Sequence, residues 1–214
     1  MNSSTRSGKH IIWIKGALLL LLLQGCASTI ETPLTLTEPV NWRETVAAVS
    51  AIDSWEISGK IGVRVPERID SAVINSWKQK EAQFTIDLSS TIFGLGATRI
   101  EGNPNYISMT ESGEEPVISR HPRQLIQQHI GWPLPIEQLR YWVKGIPAPV
   151  QSPDDKVEEL KFDSQGQLSQ LVQNGWQVNY SKYTPSRSVS LPGKVVLRQQ
   201  QVKITVIIND WQLN

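Results

Sequence analysis

Residues able to do covalent chemistry are scarce in this sequence of 214 residues, and one thiol stands apart. Cys26 is the only cysteine, so no disulfide can close within the chain. A lone thiol in an exported protein has to be paired elsewhere or chemically occupied. Other machinery leaves little trace. There is no Gly-x-Ser-x-Gly elbow, no His-Glu-x-x-His pair and no Walker loop. The two histidines after Cys26, His121 and His129, fall on one predicted helical segment with no further ligands at metal spacing. His129, on the apolar side of that segment, reads as a packed histidine. Asp154-Asp155 and Glu158-Glu159 sit in a Pro-containing loop and at a strand start, where solvated surface explains them. Arg140 beside Tyr141-Trp142 could recognise an anion or stack on an aromatic ring, and the sequence leaves both open. We therefore expect no catalytic residue, no metal site and no cofactor.

What precedes Cys26 sets its chemistry. Arg6, Lys9 and Lys15 come first with no acid among them, then the uninterrupted apolar run Ala17–Leu23, then Gln24-Gly25. That is the order of an export signal, and the run is far short of the roughly 20 apolar residues a spanning helix needs. Leu23-Gln24-Gly25-Cys26 resembles the lipobox of bacterial lipoproteins. The resemblance implies a diacylglycerol on the Cys26 thiol, cleavage after Gly25 and acylation of the new amino group; the alternative is a plain secretory signal with a chance cysteine. Each buried methylene contributes ~0.8 kcal/mol, and two or more chains make a stable anchor. Residue 27 is Ala, not the Asp that tends to retain lipoproteins in the inner membrane, so the implied location is the periplasmic face of the outer membrane. The expected organisation is a signal peptide at 1–25, an acylated cysteine and flexible tether at 26–40, and one domain at 41–214.

Three of the 21 Lys and Arg precede Cys26, leaving 18 against 20 acids and a mature charge of −2. A nucleic-acid binder would show a clustered basic excess, so nucleic acid is not an expected partner. Seven of the eight Trp follow Cys26, against three Phe in the whole chain. Trp brings a large apolar area with one polar handle, which suits a lined cavity or an ordinary core.

The elements that would carry these residues are mostly strands. Residues 27–40 mix Ser, Thr and Pro without period, as a tether does. Asn41 with Glu44 three positions on has the pattern of a capping box, and Trp42, Val46, Val49 and Ile52 recur at helical spacing, predicting a helix at about 42–53. Trp55, Ile57, Gly59, Ile61, Val63 and Val65 then alternate with polar residues until Pro66, a half-buried strand. Ala72–Lys78 and Gln83–Leu88 form a predicted hairpin about Lys80-Glu81, with Phe84, Ile86 and Leu88 on one face. Strands follow at Ala97–Glu101 and Tyr106–Thr110, then short helices over Pro122–Ile130 and from Pro135 to about Val143. The remainder is strand: Val157–Asp163, Leu168–Gln173, Trp176–Tyr183 after the Asn174-Gly175 turn, Lys194–Arg198 and Val202–Ile208. Roughly ten short strands suggest a barrel or sandwich.

Between two of these strands, Ser89-Ser90-Thr91-Ile92-Phe93-Gly94-Leu95-Gly96 stands where a polar turn belongs. Leaving one leucine in water forfeits roughly 1.5–3 kcal/mol. Either the loop tucks Ile92, Phe93 and Leu95 into the core, or it projects as an apolar finger that touches lipid.

Two segments resemble the LolB family of outer-membrane lipoprotein receptors. One is Gly131-Trp132-Pro133-Leu134-Pro135 continuing through Leu139-Arg140-Tyr141-Trp142 to Pro147; the other is Asn174-Gly175-Trp176-Gln177-Val178 with the closing strand and Trp211. The resemblance spans nearly the whole chain after Cys26, and the lipobox agrees with it. It implies a mainly β fold, an incompletely closed antiparallel β-barrel with a helical lid over an apolar cavity. It implies a monomer that takes acylated lipoproteins from the periplasmic carrier LolA and inserts them into outer-membrane lipid, without nucleotide hydrolysis. The family's exposed loop leucine maps onto Leu95, with Gly94 where the family often has Pro. Expected cavity-lining residues are Trp55, Ile57, Ile61, Val63, Phe84, Ile86, Leu88, Leu139, Trp142 and Trp176. The competing reading is an anchored docking lipoprotein with no lipid cargo.

Overall fold

The computed structural model describes residues 33–89, 96–130, 135–153 and 155–214, less the side chains of His129 and Ile130. Pro33–Asn214 form one compact unit. Cys26 and Ile92, Phe93 and Leu95 lie outside the described residues.

Among the described residues the first element is helix α1 (Trp42–Ser50), then β1 (Ser54–Val65), β2 (Arg68–Lys80), β3 (Gln83–Ser89), β4 (Thr98–Asn103), β5 (Tyr106–Glu111) and β6 (Val117–Ser119). Helices α2 (Pro122–Ile130) and α3 (Ile136–Trp142) carry it across to β7 (Val157–Phe162), β8 (Leu168–Gln173) and β9 (Trp176–Ser181). A small hairpin, β10 (Thr184–Ser186) and β11 (Val189–Leu191), precedes β12 (Lys194–Gln199) and β13 (Val202–Leu213). All strands but β10 and β11 join one 11-stranded sheet in the order β6-β5-β4-β3-β2-β1-β13-β12-β9-β8-β7. Every neighbouring pair in it is antiparallel. The ends of the order, β6 and β7, are not paired to one another. The result is an incompletely closed antiparallel barrel, and α2 and α3 lie in the connection between its two free edges.

Alternation in the sequence produces this sheet, and two bulges bend it. Opposite Ile57–Gly59 of β1, strand β2 carries one extra residue at Asn75, and β13 carries one at Asn209. An extra residue flips the pleat. On β2 the buried positions switch from Ala72 and Ile74 to Trp77 and Gln79; on β13 they switch from Ile204, Val206 and Ile208 to the partly buried Trp211 and Leu213. Gly59 sits between the bulges, where a Cβ would lie 2.0 Å from the Ile207 carbonyl oxygen. No side chain fits there, which is why a glycine interrupts the most regular strand of the sequence.

Three expectations change. Asn41 makes no side-chain cap bond; the Trp42 amide donates instead to the Pro39 carbonyl at 2.9 Å, and the Thr45 hydroxyl donates to the Asn41 carbonyl at 3.1 Å. Strand β2 starts at Arg68, since Pro66-Glu67 makes a tight turn and the bulge hides the period. And β6, β10 and β11 are three residues each, too short to leave a period. The Ser/Thr/Pro segment is fastened at one point. Thr35 and Phe162 exchange two backbone hydrogen bonds of 2.9 Å, so the edge strand β7 has part of its open hydrogen-bonding side filled.

Candidate functional site

The concave face of the sheet and the helices enclose one continuous apolar interior. Ile57, Val63, Ile74, Ile86, Ile100, Ile107, Val178, Val195, Leu197, Ile204 and Val206 come from the sheet, and Val49, Leu125, Ile126, Leu139 and Trp142 from the helices. The tryptophans are structural members of it. Trp55 meets Trp77 at 5.4 Å and Trp211 at 5.5 Å between ring centroids, a row across β2, β1 and β13. Trp42 packs edge-on to Phe162 at 5.0 Å, and Trp142 lies 6.4 Å from Trp176.

Helix α3 covers this interior through polar fastenings in and just after its last turn. Gln173, fully buried on β8, accepts from the Trp142 indole at 2.8 Å and from the Ala148 amide at 2.9 Å, and donates to the Ala148 carbonyl at 2.8 Å. Arg140 donates to the Glu81 carbonyl in the β2–β3 turn at 3.2 Å and to the Tyr141 hydroxyl at 3.0 Å, with its guanidinium 4.8 Å from the Tyr141 ring centroid. That geometry answers the question left open by the sequence: Arg140 stacks and ties the helix to a turn. Lys144, only 5% exposed, donates to the Val49 and Ile52 carbonyls at 3.1 and 2.8 Å and so caps the end of α1. Gly145, at φ +79°, turns the chain just after it, against Pro192 and the Tyr183 hydroxyl.

Burial, then the neighbouring charge of Arg140, lower the Lys144 ammonium to about 8, partly offset by Asp53. An unfolded lysine titrates near 10.4, so between the two values the unfolded chain binds more protons and this group's contribution to stability rises with pH. Lys144→Met removes both hydrogen bonds and should cost ~1–3 kcal/mol. In urea unfolding, the gap between wild type and Lys144→Met should widen from pH 7.5 to pH 10.5. Parallel pH profiles would refute the assignment.

Clefts open on both sides of α3. One of about 540 Å³ lies among Trp142, Trp176, Gln138, Arg123, Asp155 and Asn174, within the size range of small-molecule pockets, about 300–1,000 Å³. A smaller one of about 170 Å³ is lined by Trp77, Phe84, Pro122, Ile136 and Arg140. The residues expected to line a cavity divide accordingly. Trp142 and Trp176 line the larger cleft, Phe84 the smaller, and Trp55 a third of about 190 Å³ beside Tyr141 and Lys144. Ile57, Val63, Ile86 and Leu139 are buried in the filled core, and Ile61 and Leu88 are half-buried against it.

The sequence profile of outer membrane lipoprotein LolB matches residues 53–211. The chain belongs to the LolB family. Relatives named outer-membrane lipoprotein LolB include those of Stutzerimonas stutzeri, 37% identical with 91% of this chain and 92% of the relative covered, and Marinobacter nauticus, 34% identical with 92% and 95% covered. The relative from Pseudomonas savastanoi is 34% identical, with 95% and 96% covered. Among solved structures, a LolA superfamily protein from Nitrosomonas europaea overlaps at 9% identity and a TM-score of 0.48, covering 80% of this chain and 93% of that one.

The LolB-like segment around Leu139-Arg140-Tyr141-Trp142 thus coincides with the helix that closes the barrel. Leu139 and Trp142 face inward while Arg140 and Tyr141 hold the rim. Sequence reasoning missed Gln173 and Lys144. Gln173 had a signal: it stands two residues after the inward Leu171 and just before the Asn174-Gly175 turn, so a polar side chain is forced inside. Lys144 had none, since its partners are 95 and 92 residues away. Asp155 is used locally, accepting from the Asn174 amide at 3.0 Å, and His121 stands exposed at the start of α2.

Proposed function

We propose that this chain accepts acylated lipoproteins from the soluble periplasmic carrier LolA and inserts their acyl chains into the inner leaflet of the outer membrane, without enzymatic chemistry. Residues 1–25 are the export signal, Cys26 is the acylated anchor, and the Ser/Thr/Pro segment tethers a single domain facing the periplasm. The observation that carries the reading is membership of the LolB family over a chain whose fold is an open barrel with an apolar interior under a polar-fastened helix.

The physics of the task supports it. An acyl chain of about 15 methylenes costs on the order of 12 kcal/mol to expose to water at ~0.8 per methylene. A protein that replaces water with apolar contact at each stage makes the hand-over nearly isoenergetic, and a gradient of affinity toward the bilayer is then enough to set its direction.

The test uses residues 26–214 with Cys26→Ala, which contain the whole compact unit. This protein is mixed with carrier loaded with a labelled lipoprotein, and liposomes are then added. Label should pass first to this protein and then to the bilayer. Folded protein that moves no label at either step would make it a docking module.

A further inference from the structure

We propose that the outer face of β12, β13, β1 and β2 is a docking surface for anionic phospholipid headgroups. The sheet register puts three cations in one row: Arg198 stands opposite Lys203 on β13, and Lys203 opposite Arg64 on β1. Beyond Arg64 in the same row comes Ile69 of β2, 67% exposed. A second outward row, four residues further along, runs Lys194, Ile207, Lys60, Val73, with Ile207 and Val73 both exposed.

Like charges directly opposite on neighbouring strands are destabilising. Within the described residues, Arg64, Lys203, Lys60, Lys194 and Arg198 form no ion pair; Arg198 donates only to Asn179. Nearby acids do not neutralise them. Asp70 stands opposite the inward Val63 and is ion-paired with Arg68 at 3.1 Å, and Glu67 lies at the tip of the β1–β2 turn. The acids that share this outer face, Glu56 and Asp210, lie on the far side of Lys60 beyond the bulges, where Glu56 is 3.9 Å from Lys78 and Asp210 accepts from the Gln212 side chain at 3.2 Å, so neither row of cations has an acid opposite it.

Interspersed cations and exposed aliphatic side chains are the composition of a surface that meets anionic lipid. An acidic protein would complement the charges but leave Ile69, Val73 and Ile207 without a role. The second row also ends on Ser89, opposite Val73, the last described residue before the apolar run 92–95. The surface therefore reaches the strand end from which the chain continues into that apolar run. The inference rests on that delivery reading, and deepens it by naming the lipid class that the barrel faces.

The test is co-sedimentation of residues 26–214 carrying Cys26→Ala with vesicles of phosphatidylcholine alone, or with one third phosphatidylglycerol. Binding should be stronger to the anionic vesicles and should weaken as salt is raised. Arg64→Gln, Lys203→Gln and Arg198→Gln together should lower it on the order of 100-fold, with thermal stability kept or improved. Arg43→Gln, Lys156→Gln and Arg120→Gln, elsewhere on the surface, should leave it unchanged. Equal binding to both vesicle types overturns the proposal. So does a triple variant that binds vesicles normally but no longer receives cargo from the carrier, which would make the row a protein-docking surface. Cargo transfer into neutral vesicles separates the two ideas: delivery without any anionic preference removes this surface alone, whereas anionic binding without delivery removes only the delivery reading.

Discussion

Leu95→Glu should leave residues 26–214 folded and stop delivery of acylated cargo to liposomes. Leu95 belongs to a connection whose two ends are pinned to the sheet. Ser89 is held opposite Val73, its hydroxyl 3.1 Å from the Asn75 side-chain oxygen, and the Ala97 carbonyl accepts from the Ser112 amide at 2.9 Å. Among the described residues the pairing of β3 with β4 ends at Leu88 and Thr98. If Leu95 enters hydrocarbon during the last step, its carboxylate replacement costs ~2.5–3.5 kcal/mol there. The leucine forfeits a further ~1.5–3 kcal/mol, so delivery should slow on the order of 10³-fold or more. Uptake of label from the carrier should stay near normal, because that step does not require the bilayer. Leu95→Met should keep most of the activity. Normal delivery by Leu95→Glu would show that the segment does not carry the insertion step.

If cargo enters beside α3, the fastenings of that helix set how hard opening is. The interior is lined from the sheet by alternating positions of long strands, and these were readable: β1 and β13 announce themselves by period two, and the turns at Asn103 to Asn105 and Asn174-Gly175 by composition. Bulges were not readable. Ala72-Val73-Ile74-Asn75-Ser76-Trp77 loses its period at Asn75, and only the pairing with both neighbours shows that one residue is extra. The function of Gly59 was hidden for the same reason, since the Ile207 carbonyl that excludes a side chain is 148 positions away. The tryptophans were legible as apolar mass but not as a cross-strand row, which depends on register. Long-range polar contacts such as Lys144 to α1 leave no local pattern at all.

The contact with the largest expected effect on stability is the buried amide of Gln173. Gln173→Leu is close to isosteric, so packing alone should change little. What it removes is the partner of three groups: the Trp142 indole N–H, the Ala148 N–H and the Ala148 carbonyl. Each buried group left unpaired costs ~1–3 kcal/mol, and the adjoining cleft beside Trp142 lets water recover part of that. A loss of ~3–5 kcal/mol is expected in urea unfolding, a large share of the ~5–15 kcal/mol of an ordinary domain. The damage should be local before it is global. Amides of α3 and Ala148 should exchange faster in the variant while those of β1 and β13 stay protected, because nothing in the β1–β13 ladder depends on Gln173. Faster entry of a hydrophobic fluorescent probe should accompany that loosening if α3 gates the interior. A stability loss under about 1 kcal/mol would mean that the three groups find other partners, and α3 would then be held by its apolar face alone.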